Sequence, residues 1–344
     1  SDAQYNTRVG TNAGNSFDGT NANRNTLIGY DAGTAITSGD SNTAVGAYAL
    51  DAETTQGNNV AVGYRSLTSQ TTADQNTALG ADSMYTNTTG EYNVGVGFMA
   101  LYGNTTASEN TAVGMQALLS NTTGTLNTAV GAYALDATTT GGNNTAVGAY
   151  ALTGNTTAGH NTGIGYYALA VSTTGAYNTS VGSYTLDANT TGANNVAIGY
   201  NALSENTTAS ENTAIGFAAL DANTTGARNT SLGNSSLSAN TTASDNTAIG
   251  NAAMNVNTTG ANNTAVGSYA LDANTTASNN TAIGYGALTE TTTGDLNVAI
   301  GVNALAAATQ ADRNVAIGKD ALAACNNTGD NYLVAVGFNA LGAL

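Results

Sequence analysis

The sequence predicts an all-β protein, a parallel β-solenoid (β-roll) of about 20 coils, and three observations carry this prediction. A glycine preceded by Val, Ile or Leu returns every 17 residues from Gly29 to Gly318. One further copy lies on each side, at Gly10 and Gly337, each 19 residues from its neighbour. The chain has 42 glycines and no proline, as expected where every coil hydrogen bonds to its neighbours. A fixed short period is typical of stacked coils that bury a shared core.

The repeat is numbered here by the coil 195–211, whose residues define positions 1 to 17. Two short apolar segments, separated by Asn, Thr and Gly, predict two short strands and two bends in each coil. A helix is disfavoured because 17 is not close to a whole number of 3.6-residue turns, and each coil carries Gly, Asn and adjacent Thr. The representative repeat positions are Asn195, Val196, Ile198, Gly199 and Leu203, followed in the next coil by Asn212, Ile215, Gly216 and Leu220.

Alternation along the strand indicates which side chains share a face. The Val or Ile at position 4 lies on the same side as the Thr or Val at position 2, and we expect this side to form the core with Leu at position 9. The opposite side carries Ala and then Gly, small residues that let another backbone approach closely. Two interpretations stay open: contact with a second chain, as in a trimer, or with the facing sheet of the same chain.

Two further positions have predicted conformational roles. Asn at position 1 is expected to form a hydrogen-bonded ladder at a bend. The repeat glycine at position 5 is expected to adopt a conformation closed to residues with a Cβ.

Charge and composition exclude several functions. The chain carries 22 acidic and six basic residues, a formal charge of −16, so a phosphate-binding surface for nucleic acid is not expected. One His and one Cys exclude a Cys/His metal site within one chain, and no apolar run is long enough to span a membrane. His160 occupies a variable position, so we expect no catalytic residue, no cofactor and no enzyme activity. The acidic residues after Leu, such as Asp51, are expected to form a solvated face.

Aromatic residues are concentrated at positions 6 and 7, directly after the repeat glycine. They predict a ridge along the stack, which either packs at a corner of the coil or presents a surface that binds sugars or a neighbouring fibre. The candidate contact ridge consists of Tyr48, Tyr133, Tyr150, Tyr167, Tyr184 and Tyr269.

The ends of the chain depart from the strict repeat. We expect a single solenoid domain over residues 1–344, with strict repeats over 29–318 and irregular end coils over 1–28 and 319–344. A solenoid normally ends in atypical capping units, because a bare coil exposes unpaired backbone, and little room for a cap is visible here. Cys325 is interpreted as an incidental thiol or an intermolecular disulfide. The candidate end-to-end interface consists of Phe17, Tyr332, Leu333, Leu341 and Leu344.

The strand segment resembles a known family. The segment Asn195-Val196-Ala197-Ile198-Gly199, with copies at 297–301 and 314–318, is similar to the Asn-Ser-Val-Ala-Ile-Gly motif of trimeric autotransporter adhesin heads (YadA type). The full repeat with Asn-Thr-Thr-Gly is similar to repeats of phage-type tail fibres and large surface proteins. The resemblance implies a left-handed parallel β-roll, often trimeric, located outside the cell and acting in attachment.

These observations predict a structural subunit of an extracellular filament that assembles head to tail through uncapped solenoid ends. The alternative is an adhesin head, a shaft or a tail-fibre segment that attaches to surfaces or glycans. A minor alternative is ice binding, although adjacent Thr residues at positions 13 and 14 should point to opposite sides. The expected partner is the chain itself, head to tail and also laterally or as a trimer. The chain begins at Ser1 rather than Met, which favours export to the cell surface or beyond.

Overall fold

The computed structural model describes residues 4–18, 21–325, 329, 330 and 332–342, and β-strands are the regular structure found in them. The chain divides into two compact units, Ser1–Thr174 and Gly175–Leu344. Each unit is a parallel β-solenoid with the 17-residue period, which confirms the predicted fold class. Handedness and the single-domain organisation stay predictions.

Among its described residues the first unit contains ten strands of three residues, one in each coil, which pair in parallel in chain order from β1 to β10. The strands are β1 Thr7–Val9, β2 Thr26–Ile28, β3 Thr43–Val45, β4 Val60–Val62, β5 Thr77–Leu79, β6 Val94–Val96, β7 Thr111–Val113, β8 Thr128–Val130, β9 Thr145–Val147 and β10 Thr162–Ile164.

The second unit repeats this arrangement with ten three-residue strands and adds one short parallel pair, β19 and β21. The strands are β11 Thr179–Val181, β12 Val196–Ile198, β13 Thr213–Ile215, β14 Thr230–Leu232, β15 Thr247–Ile249, β16 Thr264–Val266, β17 Thr281–Ile283, β18 Val298–Ile300, β19 Ala311–Asp312, β20 Val315–Ile317, β21 Gly329–Asp330 and β22 Val334–Val336.

Register is kept at every strand pair, so equivalent positions lie side by side. Ala197 is opposite Ala214 and Ile198 is opposite Ile215. The two 19-residue intervals do not disturb this register, since Thr7 is opposite Thr26. The two extra residues of each end coil are therefore accommodated outside the strands.

The interior is lined by the small side of the strand, so the predicted core face is wrong. Ala197 at position 3 is fully buried, whereas Ile198 at position 4 is 37% exposed. The reason is space: a Cβ built on Gly95, at position 3, would lie 3.1 Å from the Met84 side chain at position 9 of the preceding coil. From the third coil onward each coil holds one large residue at position 9, a Leu or Met, and the strand can point only a small residue toward it. The Ala side chains at position 3 are buried by their own chain, so the second of the two interpretations is the correct one.

The second predicted strand is absent from the described coils, and the Leu segment is a series of turns instead. Gly199, Asn201 and Leu203 have φ angles of +128°, +54° and +55°. The N–H groups of this segment point to both neighbouring coils. Asn201 donates to the Ser183 carbonyl in the preceding coil, and Leu203 donates to the Ala219 carbonyl in the next coil. The segment thus pairs on both sides without strand geometry, and the predicted conformation of the repeat glycine is confirmed.

Two ladders of buried asparagine follow the stack, and the predicted one at position 1 is confirmed. The Asn195 side chain accepts from the Asn212 backbone N–H at 3.0 Å and donates to the Ala209 carbonyl at 2.9 Å. The second ladder, at position 12, joins side chains directly, with Asn206 Nδ2 donating to Asn189 Oδ1 at 2.8 Å. Each amide therefore bonds both within its coil and to a neighbouring coil.

Candidate assembly and ligand-contact surfaces

The first coil has an open strand edge and an unusual core. Within the described residues β1 pairs only with β2, and its three residues are exposed. Arg8 stands at the Ala position, its guanidinium 5.3 Å from the centre of the Phe17 ring, and it donates to the Gly14 carbonyl at 3.1 Å. Gly14 stands at the Leu position, where a Cβ would lie 2.8 Å from Leu27. Large side chains at positions 3 and 12 thus occupy the space that Leu fills elsewhere.

The last coil has the opposite open edge and a regular core. Among the described strands β22 pairs only with β20. Leu341 at position 9 is 46% exposed, whereas Leu322 in the preceding coil is fully buried. A Cβ on Gly318 would lie 2.4 Å from the Gly337 carbonyl oxygen, but a Cβ on Gly337 would have no atom within 4 Å. The end of the stack therefore exposes both backbone and core.

The side chains at position 12 stack on one another along the solenoid and form a file. In this file the residues change from polar in the middle of the chain to apolar near both ends. Asn206 and the equivalent Asn residues of neighbouring coils form the amide ladder. Toward the C-terminus the ladder ends, and position 12 then holds Thr291 and Ala308. A chain whose ends face water would be expected to place polar residues there. The apolar members are Phe17 and Ile36 at the start of the chain and Ala308 and Cys325 near its end.

The predicted end-to-end residues lie on these two coils. Phe17 is half-buried beneath Arg8, Tyr332 is exposed with the Arg313 guanidinium 5.8 Å from its ring, and Leu333 is half-buried. Leu344 lies outside the described residues. The sequence analysis did not single out Arg8 and Gly14, although the sequence contains a signal. In the first two coils the usual Ala at position 3 is replaced by a large residue and the usual Leu at position 9 by Gly, namely Arg8 with Gly14 and Leu27 with Gly33. Cys325 is a buried free thiol.

The tyrosines at positions 6 and 7 pack on one another along the stack. In the first unit Tyr150 stacks between Tyr133 and Tyr167, with ring centres 5.1 and 5.0 Å apart. In the second unit Tyr184 meets Tyr200 edge to face at 6.1 Å. The other members of the predicted ridge, Tyr48 and Tyr269, contact Tyr30, Tyr64 and Tyr285. The packing interpretation is confirmed, and binding by the ridge stays a prediction.

The aspartates at position 10 are half-buried rather than fully solvated, contrary to the sequence expectation. Burial raises the pKa of Asp51 from its usual value to about 6 and also raises the pKa values of Asp136 and Asp221. Glu53, at position 12, is fully buried, and one of its oxygens accepts the N–H groups of Thr54, Thr55 and Gln56. Burial raises the pKa of Glu53, and these hydrogen bonds oppose that shift.

The outer face of each strand is a second surface that the sequence analysis missed, because it assigned this face to the core. Positions 2 and 4 point outward in both units, so Thr or Val alternates with Val, Ile or Leu on an open sheet face. Ile164 in the first unit and Ile283 in the second are each 38% exposed. Rows of partly exposed aliphatic side chains of this kind mark surfaces that associate.

In the part of the chain that the structure describes, no three His, Cys, Asp or Glu side chains are grouped so that they could hold a metal ion. The same residues include no helix that is long and apolar enough to cross a membrane. Comparison with models of known protein families gives no match, and comparison with curated proteins gives no significant relative.

Proposed function

We propose that the protein is the structural subunit of an extracellular filament in which chains join head to tail through the open edges of their end coils. The observation that carries the proposal is Gly337. The repeat glycines at position 5 from Gly10 to Gly148 and from Gly182 to Gly318 lie directly against the next coil, whereas Gly337 has the same backbone conformation and an empty space beside it. A further coil fits there without any change of backbone.

The unpaired backbone groups of the two ends are complementary. In regular coils the N–H at position 2 donates to position 1 of the next coil, as Val315 does to Leu333, and the N–H at position 5 donates to position 4 of the preceding coil, as Gly337 does to Ile317. If a second chain stacked on this end in the same register, its Asn6 carbonyl would accept a hydrogen bond from the Val334 N–H of the first chain. Its Gly10 N–H would donate in return to Val336.

The interior at such a junction would also be complementary. Leu341 would pack on the aliphatic part of Arg8 and on Phe17, so its exposed surface would leave water. By sequence, position 12 holds Cys325 and Leu344 on one side of the junction and Phe17 and Ile36 on the other, and none of these residues is polar. Open, unprotected strand edges otherwise invite unspecific pairing, and a defined partner removes that cost.

Electron microscopy of the purified chain tests the proposal, with Val334→Pro as the blocking variant. The Val334 N–H has no partner among the described residues, so proline removes no bond from the single chain but blocks the junction. Val334→Thr is the control, since Thr is the common residue at position 2. We expect the parent and Val334→Thr to form filaments with a repeat of about 4.8 Å along the axis, and Val334→Pro to stay dispersed.

Two results would contradict this. If the parent chain stays dispersed at every concentration, it is not a filament subunit. If Val334→Pro assembles as the parent does, the end edges are not the junction.

A second candidate function, a segment of a laterally associated attachment fibre, is favoured by the exposed aliphatic sheet face together with the resemblance to trimeric adhesin heads. Ile198→Asp with Ile215→Asp places charge on that face, and Thr208→Asp adds a charge at an exposed turn as a control. If the face joins chains side by side, light scattering will show that only the double variant lowers the number of chains in each particle. An unchanged number excludes this face.

A further inference from the structure

One short sequence recurs along the aromatic ridge and places a tyrosine beside a carboxylate. Tyr at position 7, Leu at position 9 and Asp at position 10 occur together in four coils. In each case the following coil has Ser or Thr at position 10. The four pairs are Tyr48 with Asp51, Tyr133 with Asp136, Tyr184 with Asp187, and Tyr269 with Asp272.

The hydroxyl of the following coil closes two of these sites internally. Thr153 donates to the Asp136 carboxylate at 2.5 Å, and Thr289 donates to Asp272 at 2.7 Å. The Tyr184 site differs, because Ser204 donates to the Asp221 carbonyl at 3.5 Å instead. No side-chain donor in the described residues bonds to the Asp187 carboxylate. This carboxylate accepts the backbone N–H of Asp187 itself, and its remaining acceptor capacity is available to a ligand.

The Tyr184 site also forms a depression at the surface. A depression of about 340 Å³ is lined by Tyr184, Asp187, Tyr200 and Asn201, with Ser204 and Glu205 at its side. Tyr200 is 47% exposed, and its ring is fixed by stacking on Phe217 at 5.7 Å. An exposed ring on a rigid support, with carboxylate and amide groups around it, offers one apolar face and several hydrogen-bonding groups.

We propose that this depression binds a neutral carbohydrate. The C–H face of a sugar ring packs on Tyr200 and on the edge of Tyr184, while its hydroxyl groups donate to Asp187 and Glu205 and exchange hydrogen bonds with Asn201. Two carboxylates and a net charge of −16 disfavour acidic sugars. The site is open at the surface, so it fits a unit within a longer glycan chain.

Isothermal titration with cellohexaose, chitohexaose and maltohexaose tests the proposal, and it does not depend on filament formation. We expect at least one of them to bind with a Kd below about 1 mM. Tyr200→Ala should weaken that binding at least about tenfold and Asp187→Asn several-fold, because each removes a direct contact.

The closed copy supplies the matched controls. Tyr269→Ala and Asp272→Asn change the same sequence at a site whose carboxylate is already occupied, and binding should stay as in the parent. The proposal is overturned if none of the three sugars binds at about 10 mM, if Tyr200→Ala binds as the parent does, or if Tyr269→Ala is equally damaging. Binding of choline or of an acidic oligosaccharide in place of the three sugars would also overturn it.

Discussion

The regular coils and the end coils are built from one repeat, but their residues are held by different neighbours. In a regular coil Gly199 lies against the carbonyl of Gly216, and Leu203 is fully buried. In the last coil the equivalent Gly337 faces open space and Leu341 is half-exposed. Backbone conformation at the two glycines is the same, with φ of +128°. The comparison shows that the repeat encodes the shape of a coil, while its stability comes from the coils on either side.

The two regions also differ in how they use polar groups. Amide ladders satisfy most of the polar groups in the interior of the regular coils, although the side-chain oxygens of Asn121 and Asn155 have no hydrogen-bond partner there. An Asn at position 12 of the first coil would lack the partner that a preceding coil supplies, and Phe17 stands there instead. The apolar residues Ile36 and Ala308 lie in coils that have a neighbour on both sides, so the ladder stops before the ends of the stack.

Alanine at the repeat glycine is the strongest test of this comparison. In Gly199→Ala the new Cβ would lie 2.4 Å from a backbone oxygen of the next coil, so we expect a loss of at least about 4 kcal/mol in unfolding free energy or no folding. In Gly337→Ala only the backbone strain remains, about 1–2 kcal/mol. Chemical denaturation measures both.

Gly337→Ala also reports on the proposed filament. The folded chain should survive and filament growth should stop, since the new methyl group occupies the place of the next coil. Similar losses of stability in the two variants would show that the φ angle, rather than stacking, dictates glycine at position 5.

The position-12 ladder gives the next largest expected effect. Asn223 donates to Asn206 Oδ1 and to the Gly226 carbonyl, at 3.1 and 2.9 Å, and accepts from Asn240. Asn223→Ala leaves these buried groups without a partner and should cost about 2–4 kcal/mol. Cys325→Ala changes the same position outside the ladder and should cost less than about 1.5 kcal/mol. Urea unfolding of both variants measures the difference, and equal costs would mean that the ladder does not stabilise the interior.

The sequence was sufficient for the period, the register, the glycine conformation and the ladder at position 1, because each follows from a residue that recurs at one position. It was insufficient for the direction of the strand faces. Alternation groups Val196 with Ile198 but does not say which side is inside, and hydrophobicity favoured the wrong one. Size was the better signal: position 3 holds Ala, Gly or Ser in regular coils, while position 4 varies freely among Val, Ile and Leu.

The surfaces proposed for function were predictable only in part. The end coils and the ridge were visible as departures from the repeat or as files of one residue type. The different hydrogen bonding of Asp187 and Asp272 was not predictable, since both residues follow Tyr-x-Leu and both precede a coil with Ser or Thr at position 10. Which hydroxyl bonds to which oxygen depends on side-chain directions that no spacing encodes.

The carboxylates of the regular coils are also expected to make the stability of the chain depend on pH. The half-buried aspartates whose pKa is raised by burial lie in regular coils. Burial of the carboxylates in the regular coils is expected to change the stability of the chain between pH 7 and pH 4.

The smallest expected effect is the contribution of a single carboxylate to that change. Burial raises the pKa of Asp51 from 3.8 to about 6, so the folded chain binds its proton more tightly than the unfolded chain. The resulting stabilisation is fully present below about pH 4 and is lost as the pH rises through about 6. Asp51 is partly exposed, so solvent screens the effect. We expect the melting temperature to rise on acidification from pH 7 to pH 4, and Asp51→Asn to reduce that rise.

Asp245 supplies a control of opposite sign. The hydrogen bond from Arg228 lowers its pKa, so its contribution is present above its usual pKa and is lost as the pH falls through the lowered value. Asp245→Asn should therefore leave the rise between pH 7 and pH 4 unchanged or make it slightly larger. If Asp51→Asn and Asp245→Asn alter the pH profile in the same direction, burial of the carboxylates in the regular coils is not what sets the pH dependence.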